Sequence, residues 1–171
     1  MMPAVEENQW FAVYTKSRFE RRVVNELQEL GMEAWGPVIR TLRQWSDRKK
    51  MVEVPLFNSY VFVHTKKSLV RNALRANGSV YVVSFSGQPT PIPDMQIEWL
   101  KQLLESSEKF EISYDEFAFG DCVLVEQGPL KGMEGKFVNY KGRNRVLLQI
   151  DAINQNLLID IDPGFVKKVP V

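Results

Sequence analysis

Cysteine and histidine are nearly missing from this 171-residue chain: each occurs once, as Cys122 and His64. A lone cysteine excludes an internal disulfide. With no Cys-x-x-Cys or His-x-x-x-His spacing, a zinc site has no support. His64 and Cys122 lie in different parts of the chain, and neither is marked as a nucleophile or base, so each reads as structural or surface. No run of 18 apolar residues occurs, so no membrane-spanning helix is expected. The opening MMPAVEENQW has neither the basic nor the apolar segment of a secretory signal, and a cytoplasmic location is expected. A phosphate-binding loop is absent too. In GPLKGMEGK (128–136), Leu130 stands where the first glycine of that motif belongs, and Phe137 follows Lys136 in place of Ser or Thr. No cofactor, no metal and no enzymatic activity is therefore expected.

A strong net charge is also lacking: the total is +1, too balanced for a tight, autonomous binder of duplex nucleic acid. Its distribution says more. Residues 1–104 hold 14 Lys and Arg against 10 Asp and Glu, residues 105–118 hold one against five, and residues 119–171 hold seven against six. A basic front, an acidic spacer and a near-neutral tail suggest two modules and a linker. Hydrophobic content of 44% and charged content of 25% are those of an ordinary globular protein.

Residues 10–14 (WFAVY) read as a strand. Ser17 with Glu20 three residues on forms a capping-box pattern, and Phe19, Val23, Leu27 and Leu30 make an apolar stripe, predicting a helix over 18–30. Its other side carries Arg18, Arg21, Arg22 and Asn25. Residues 40–54 read as a hairpin turning at 46–49, followed by a strand at 60–64. A short helix is predicted over 68–77, packed through Leu69, Ala73 and Leu74. A strand over 80–85, a loop over 86–93 and a helix over 95–105 follow, the last with Ile97, Leu100 and Leu104 on one face. This order predicts an α+β fold, an antiparallel sheet flanked by helices over residues 9–105. Residues 106–118 read as a flexible linker in which Phe110, Ile112 and Tyr114 are free to dock. Five short strands (123–126, 136–140, 145–150, 156–161 and 165–169), separated by turns, then predict a small five-stranded β-barrel over 119–171. GPLKG reads as a turn whose glycines permit positive φ.

Two surfaces stand out. Arg40, Arg43, Arg48, Lys49 and Lys50 crowd the hairpin around Trp45, offset by Asp47. Such a hairpin is either a solvated charged element or a nucleic-acid contact, with cations on phosphates and Trp45 on an unpaired base. In the strand at 60–64, Tyr60 and Phe62 share one face and Val61 and Val63 the other. The two rings either fill the core or form an exposed anchor for a protein partner, which Tyr14 and Ile97 would join if their elements are neighbours.

The segments WFAVYTKSRFERRVVNEL, VPLFNSYVFVH and PTPIPDMQI, in this order, resemble the N-terminal domain of the NusG family of transcription elongation factors. GDCVLVEQGPLKGMEGKF resembles that family's C-terminal KOW motif, with Gly128, Pro129, Leu130, Lys131, Gly132 and Gly135 as its turn. LRQWSDRKKMVEVPLF resembles the specialised RfaH-like and UpxY-like paralogues that antiterminate capsule and other long polysaccharide operons. The resemblance implies a monomer whose first domain grips the clamp helices of the largest RNA polymerase subunit through Tyr14, Tyr60, Phe62 and Ile97. It implies that Arg71 and Asn72 touch the opposite side of the polymerase cleft, and that Lys16, Arg18 and Arg22 meet the non-template DNA strand. The barrel would recruit Rho or a ribosomal protein. A general housekeeping NusG and a ribosome-associated KOW protein binding RNA are the alternatives. Some relatives refold the C-terminal domain into helices. The β-branched strands at 145–150 and 156–161, with Asp162-Pro163-Gly164 after them, favour the barrel here.

Overall fold

In the computed structural model, which describes residues 2–115 and 120–170, the chain divides into two units, Met1–Asp94 and Met95–Val171. The first contains β1 (Asn8–Thr15), α1 (Glu20–Glu29), β2 (Glu33–Trp35), β3 (Val38–Gln44), β4 (Lys49–Pro55), β5 (Tyr60–Lys66), β6 (Ser79–Val82), β7 (Ser84–Phe85) and β8 (Gln88–Pro89). Four of these strands form an antiparallel sheet in the order β2-β5-β1-β6. Period-2 alternation sends Phe11 and Val13 of β1, and Val61 and Val63 of β5, to one face. There they are fully buried against Val23 and Leu27 of α1 and against Val70 and Ala73.

α1 starts differently from the expectation. Its N-cap is Phe19, with no side-chain cap, and the Glu20 carboxylate accepts the Ser59 N–H at 2.8 Å. The capping box is thus replaced by a long-range bond that fixes the turn ahead of β5. Residues Lys67–Arg75 form a 3-10 helix, in which three residues per turn bring Val70 and Ala73 onto the buried side, and the capping residue Ala76 after it is buried too. Leu69 and Leu74, expected to pack, are consequently exposed. β3 and β4 form the hairpin, closed by Trp45 N–H donating to the Arg48 carbonyl at 2.7 Å. The expected loop at 86–93 contains β8, paired with β7.

The second unit holds α2 (Asp94–Glu105) from Met95 onward, then β9 (Phe110–Ser113), β10 (Asp121–Val125), β11 (Glu134–Tyr140), β12 (Arg143–Ile150), β13 (Gln155–Ile159) and β14 (Val166–Lys168). The strands form one antiparallel sheet in the order β14-β10-β11-β12-β13-β9. The segment read as linker therefore contains a strand: Phe110 pairs with Ile159 and Ile112 with Leu157. An ion cluster around a buried arginine ties it down. Arg145, 5% exposed, reaches Glu111 at 3.0 Å and Asp160 at 2.9 Å. The GPLKG turn is as expected, with Gly128 and Gly132 at φ of 86° and 93° and Leu130 buried. At Gly135 any Cβ would lie 2.6 Å from the Leu147 carbonyl oxygen, so β11 and β12 approach only because that residue has no side chain.

Candidate functional site

The sheet order brings three tyrosines into one row. In the ladder, Tyr14 of β1 lies opposite Tyr60 of β5 on one side and Tyr81 of β6 on the other. The Tyr14 and Tyr60 rings meet edge to face, their centroids 5.4 Å apart, and Tyr14 stacks on Tyr81 at 4.8 Å. Aromatic pairs of this kind contribute about 0.5–1.5 kcal/mol each beyond the area they bury. Tyr81 is 47% exposed, and Tyr14 and Tyr60 are half-buried. Burial, followed by the neighbouring hydroxyls of Tyr81 and Tyr14, pushes the Tyr60 phenol above its ordinary value. Tyr60 thus remains a neutral hydrogen-bonding group on a largely apolar, accessible patch.

Two residues expected on this patch are not on it. Phe62 is fully buried. It shares a sheet face with Tyr60, but Trp35 of β2 pairs with it across the ladder and Phe57 meets it edge to face at 6.1 Å. Tyr60 escapes because it begins the strand. Ile97 is also fully buried, within α2 of the second unit. Tyr81, by contrast, went unrecognised in the sequence. Its strand was legible, but which strand adjoins β1 is decided by the chain's crossover, and no local signal carries that.

Arg71 and Asn72 are exposed on the 3-10 segment, and Arg71 donates to the Gly87 carbonyl at 3.0 Å. His64 is occupied by Glu33, at 2.7 Å, and by the stacked Trp10 ring. Among the described residues, no group of three His, Cys, Asp or Glu side chains is placed to hold a metal ion. None of the described helices is long and apolar enough to cross a membrane.

The cationic residues divide. Lys16 and Arg22 lie over the Phe19 ring, 6.0 and 5.7 Å from its centroid, and Arg22 also pairs with Glu26 at 3.0 Å. Arg40 pairs with Glu53 at 3.5 Å. Arg18, Arg43, Arg48 and Lys49 have no ion-pair partner among the described residues, and Trp45 is 54% exposed at the hairpin tip. Arg43 stands directly opposite Lys50 across the hairpin. Like charges so placed destabilise a β-ladder, and an anionic ligand relieves them. On the second unit, Pro129 and Lys131 project from the glycine turn.

Comparison with known proteins gives this geometry a setting. A family model described as "Transcription termination factor nusG" matches residues 8–101. The chain is 24% identical to the transcription termination/antitermination protein NusG of Neisseria meningitidis serogroup B, over 94% of this chain and 97% of that one. It is 23% identical to the protein of the same name from Vibrio cholerae, over 98% and 100%. The solved structure described as "Domain interaction in Thermotoga maritima NusG" covers 96% of this chain and 98% of its own, with a TM-score of 0.50 and 23% identity, a likeness of fold. Since the family model spans more than half of the sequence, the chain belongs to the NusG family.

Proposed function

We propose that this protein is a non-enzymatic transcription elongation factor that docks on the clamp helices of the largest RNA polymerase subunit through Tyr14, Tyr60 and Tyr81. The row of accessible tyrosines across three adjacent strands carries this reading. Rigid aromatic side chains with a polar tip are the usual anchors of a protein interface. Arg71 and Asn72 would meet the opposite wall of the polymerase cleft. A factor bridging both walls favours the closed, elongating enzyme by its differential affinity for that state, and so suppresses pausing and termination.

The unpaired cations and exposed tip of the hairpin point to contact with the non-template strand, and to a specialised paralogue serving long polysaccharide operons of the capsule type. A general NusG role is the second reading, favoured by the names of the relatives. Transcription on unrelated templates separates them, because a general factor changes pausing on every template. We assign the first unit, from residue 9 to Asp94, to polymerase binding. Residues 119–171, joined by β9, act as a KOW barrel that recruits Rho or a ribosomal protein through the turn around Pro129 and Lys131.

The direct test is capture of purified RNA polymerase by the wild type and by Tyr14→Ala/Tyr60→Ala, with circular dichroism to confirm folding. A folded double variant should retain a tenth or less of the binding. Equal capture overturns the assignment.

A further inference from the structure

The sheet of the second unit ends on a strand drawn from the stretch between α2 and β10. Among the described strands β9 pairs with β13 alone. Without it, β13 would present a row of unpaired backbone N–H and C=O groups, an edge that accepts another strand. The two partners are unequally held. Asn156, Leu157, Leu158 and Ile159 of β13 are all buried, whereas Phe110 and Ile112 of β9 are half-buried and Glu111 is exposed. Glu111 meets the buried Arg145, but Asp160 meets it too, so departure of β9 leaves the guanidinium paired. Beyond the strand, Tyr140 donates to the Asp115 carboxylate, and the Asn156 side-chain nitrogen donates to the Asp115 carbonyl at 2.9 Å. The Asn156 amide is nonetheless only half used. Its Oδ1 is buried, in a residue 5% exposed, and has no hydrogen-bond partner among the described residues. A buried acceptor left unmet is a defect of fit, and it lies where β9 ends.

We infer that β9 is a displaceable occupant of the β13 edge, and that this edge docks an extended segment of another protein, which joins the sheet in β9's place. The seat defines the chemistry of that segment. It carries two apolar side chains at alternate positions, set against Leu157 and Ile159, an acid between them for Arg145, and a donor for the Asn156 oxygen. Backbone pairing supplies affinity, and these side-chain positions supply selectivity. The surface involves neither the tyrosine row nor the hairpin, and it lies two strands beyond β11, away from the glycine turn. Because β9 is tethered, a partner binds only the fraction of molecules in which β9 has left its seat, and its apparent affinity falls by that fraction. β9 thus sets a threshold: poorly matched strands are excluded, and a segment that also satisfies Asn156 is admitted.

Hydrogen exchange on the full wild-type chain tests displacement. The β9 amides bonded to β13 should exchange at least about a hundredfold faster than those joining β12 to β13, through a local opening. Equal rates would show that β9 leaves only when the whole sheet unfolds, and would overturn the inference. The docking surface is tested with Ile112→Asp, which disfavours β9 in its seat, and a fluorescein-labelled peptide EKFEISYD, the sequence of residues 108–115. Anisotropy should show the peptide binding this variant at least about tenfold more tightly than the wild type. The peptide EKFKISYD, with lysine set against Arg145, should lose that gain. If circular dichroism shows Ile112→Asp unfolded, Glu111→Lys takes its place with the same expectation. No gain on a folded variant, or equal binding of the two peptides, would overturn the edge as a docking surface. A concentration-dependent wild-type dimer in sedimentation, abolished by Ile112→Asp, would assign the edge to a second copy of the chain and overturn the foreign partner.

Discussion

Phe62 and Tyr81 show how much one residue's place depends on its neighbours. Both are aromatic residues in strands, but Phe62 is sealed by Trp35 and Phe57, while Tyr81 is left 47% exposed beside Tyr14. Phe62→Ala should therefore cost about 3–5 kcal/mol of folding stability through the cavity it leaves. Tyr81→Ala should cost less than about 1.5 kcal/mol and act chiefly on polymerase capture. Urea denaturation of the two variants checks this ordering, and a larger loss at Tyr81 would contradict it. Alternation along the strand correctly put Tyr60 and Phe62 on one face. Whether that face is covered depends in part on Trp35, which reaches Phe62 only through the pairing of β2 with β5, and sequence pattern does not show that pairing.

At the scale of elements, α1 and the hairpin were legible because each repeats a simple period over enough residues. The start of α1 departs from its sequence pattern because Ser17 and Glu20 satisfy a local rule that tertiary structure overrides: Glu20 serves Ser59 instead. β9 leaves little trace in the sequence because it is four residues long and sits among acids. Its own alternation, Phe110 and Ile112 inward with Glu111 outward to Arg145, was present but brief. The hairpin's opposed Arg43 and Lys50 lead to a prediction in which stability and binding diverge. Lys50→Glu should stabilise the fold by roughly 0.2–1 kcal/mol by creating an attractive cross-strand pair, yet weaken single-strand binding. Chemical denaturation and anisotropy on the same variant read the two effects. A rise in both would show that the rung does not face an anionic ligand.

For the whole molecule, two carboxylates join segments distant in sequence. Glu6 accepts the Ser68 N–H and hydroxyl, at 2.8 and 2.6 Å, and Glu26 accepts the Asn77 N–H at 2.6 Å. These hydrogen bonds, the Asn77 N–H first for Glu26 and the Ser68 hydroxyl first for Glu6, hold both carboxyls below their ordinary value. Ionised in the native state, they favour folding at neutral pH, and that contribution disappears as pH falls through the lowered native values. The melting temperature of Glu26→Gln should thus lie below that of the wild type at pH 7 and converge with it as pH falls through the lowered native value of Glu26. A gap that persists at the acid end would mean the carboxylate's charge is not what matters. The general architecture was readable because hydrophobic period, turn residues and charge blocks agree along most of the chain. The tyrosine row was not, because it is assembled from β1, β5 and β6, which meet only in the folded chain.

The Leu147 carbonyl beside Gly135 also has an evolutionary consequence. Drift is free to rewrite exposed side chains such as Val5 or Met95, which face water. At position 135, every codon other than a glycine codon pushes two strands apart, so selection purges it. In descendants too diverged for overall identity to reveal their ancestry, that single unchanging position would still mark the shared lineage.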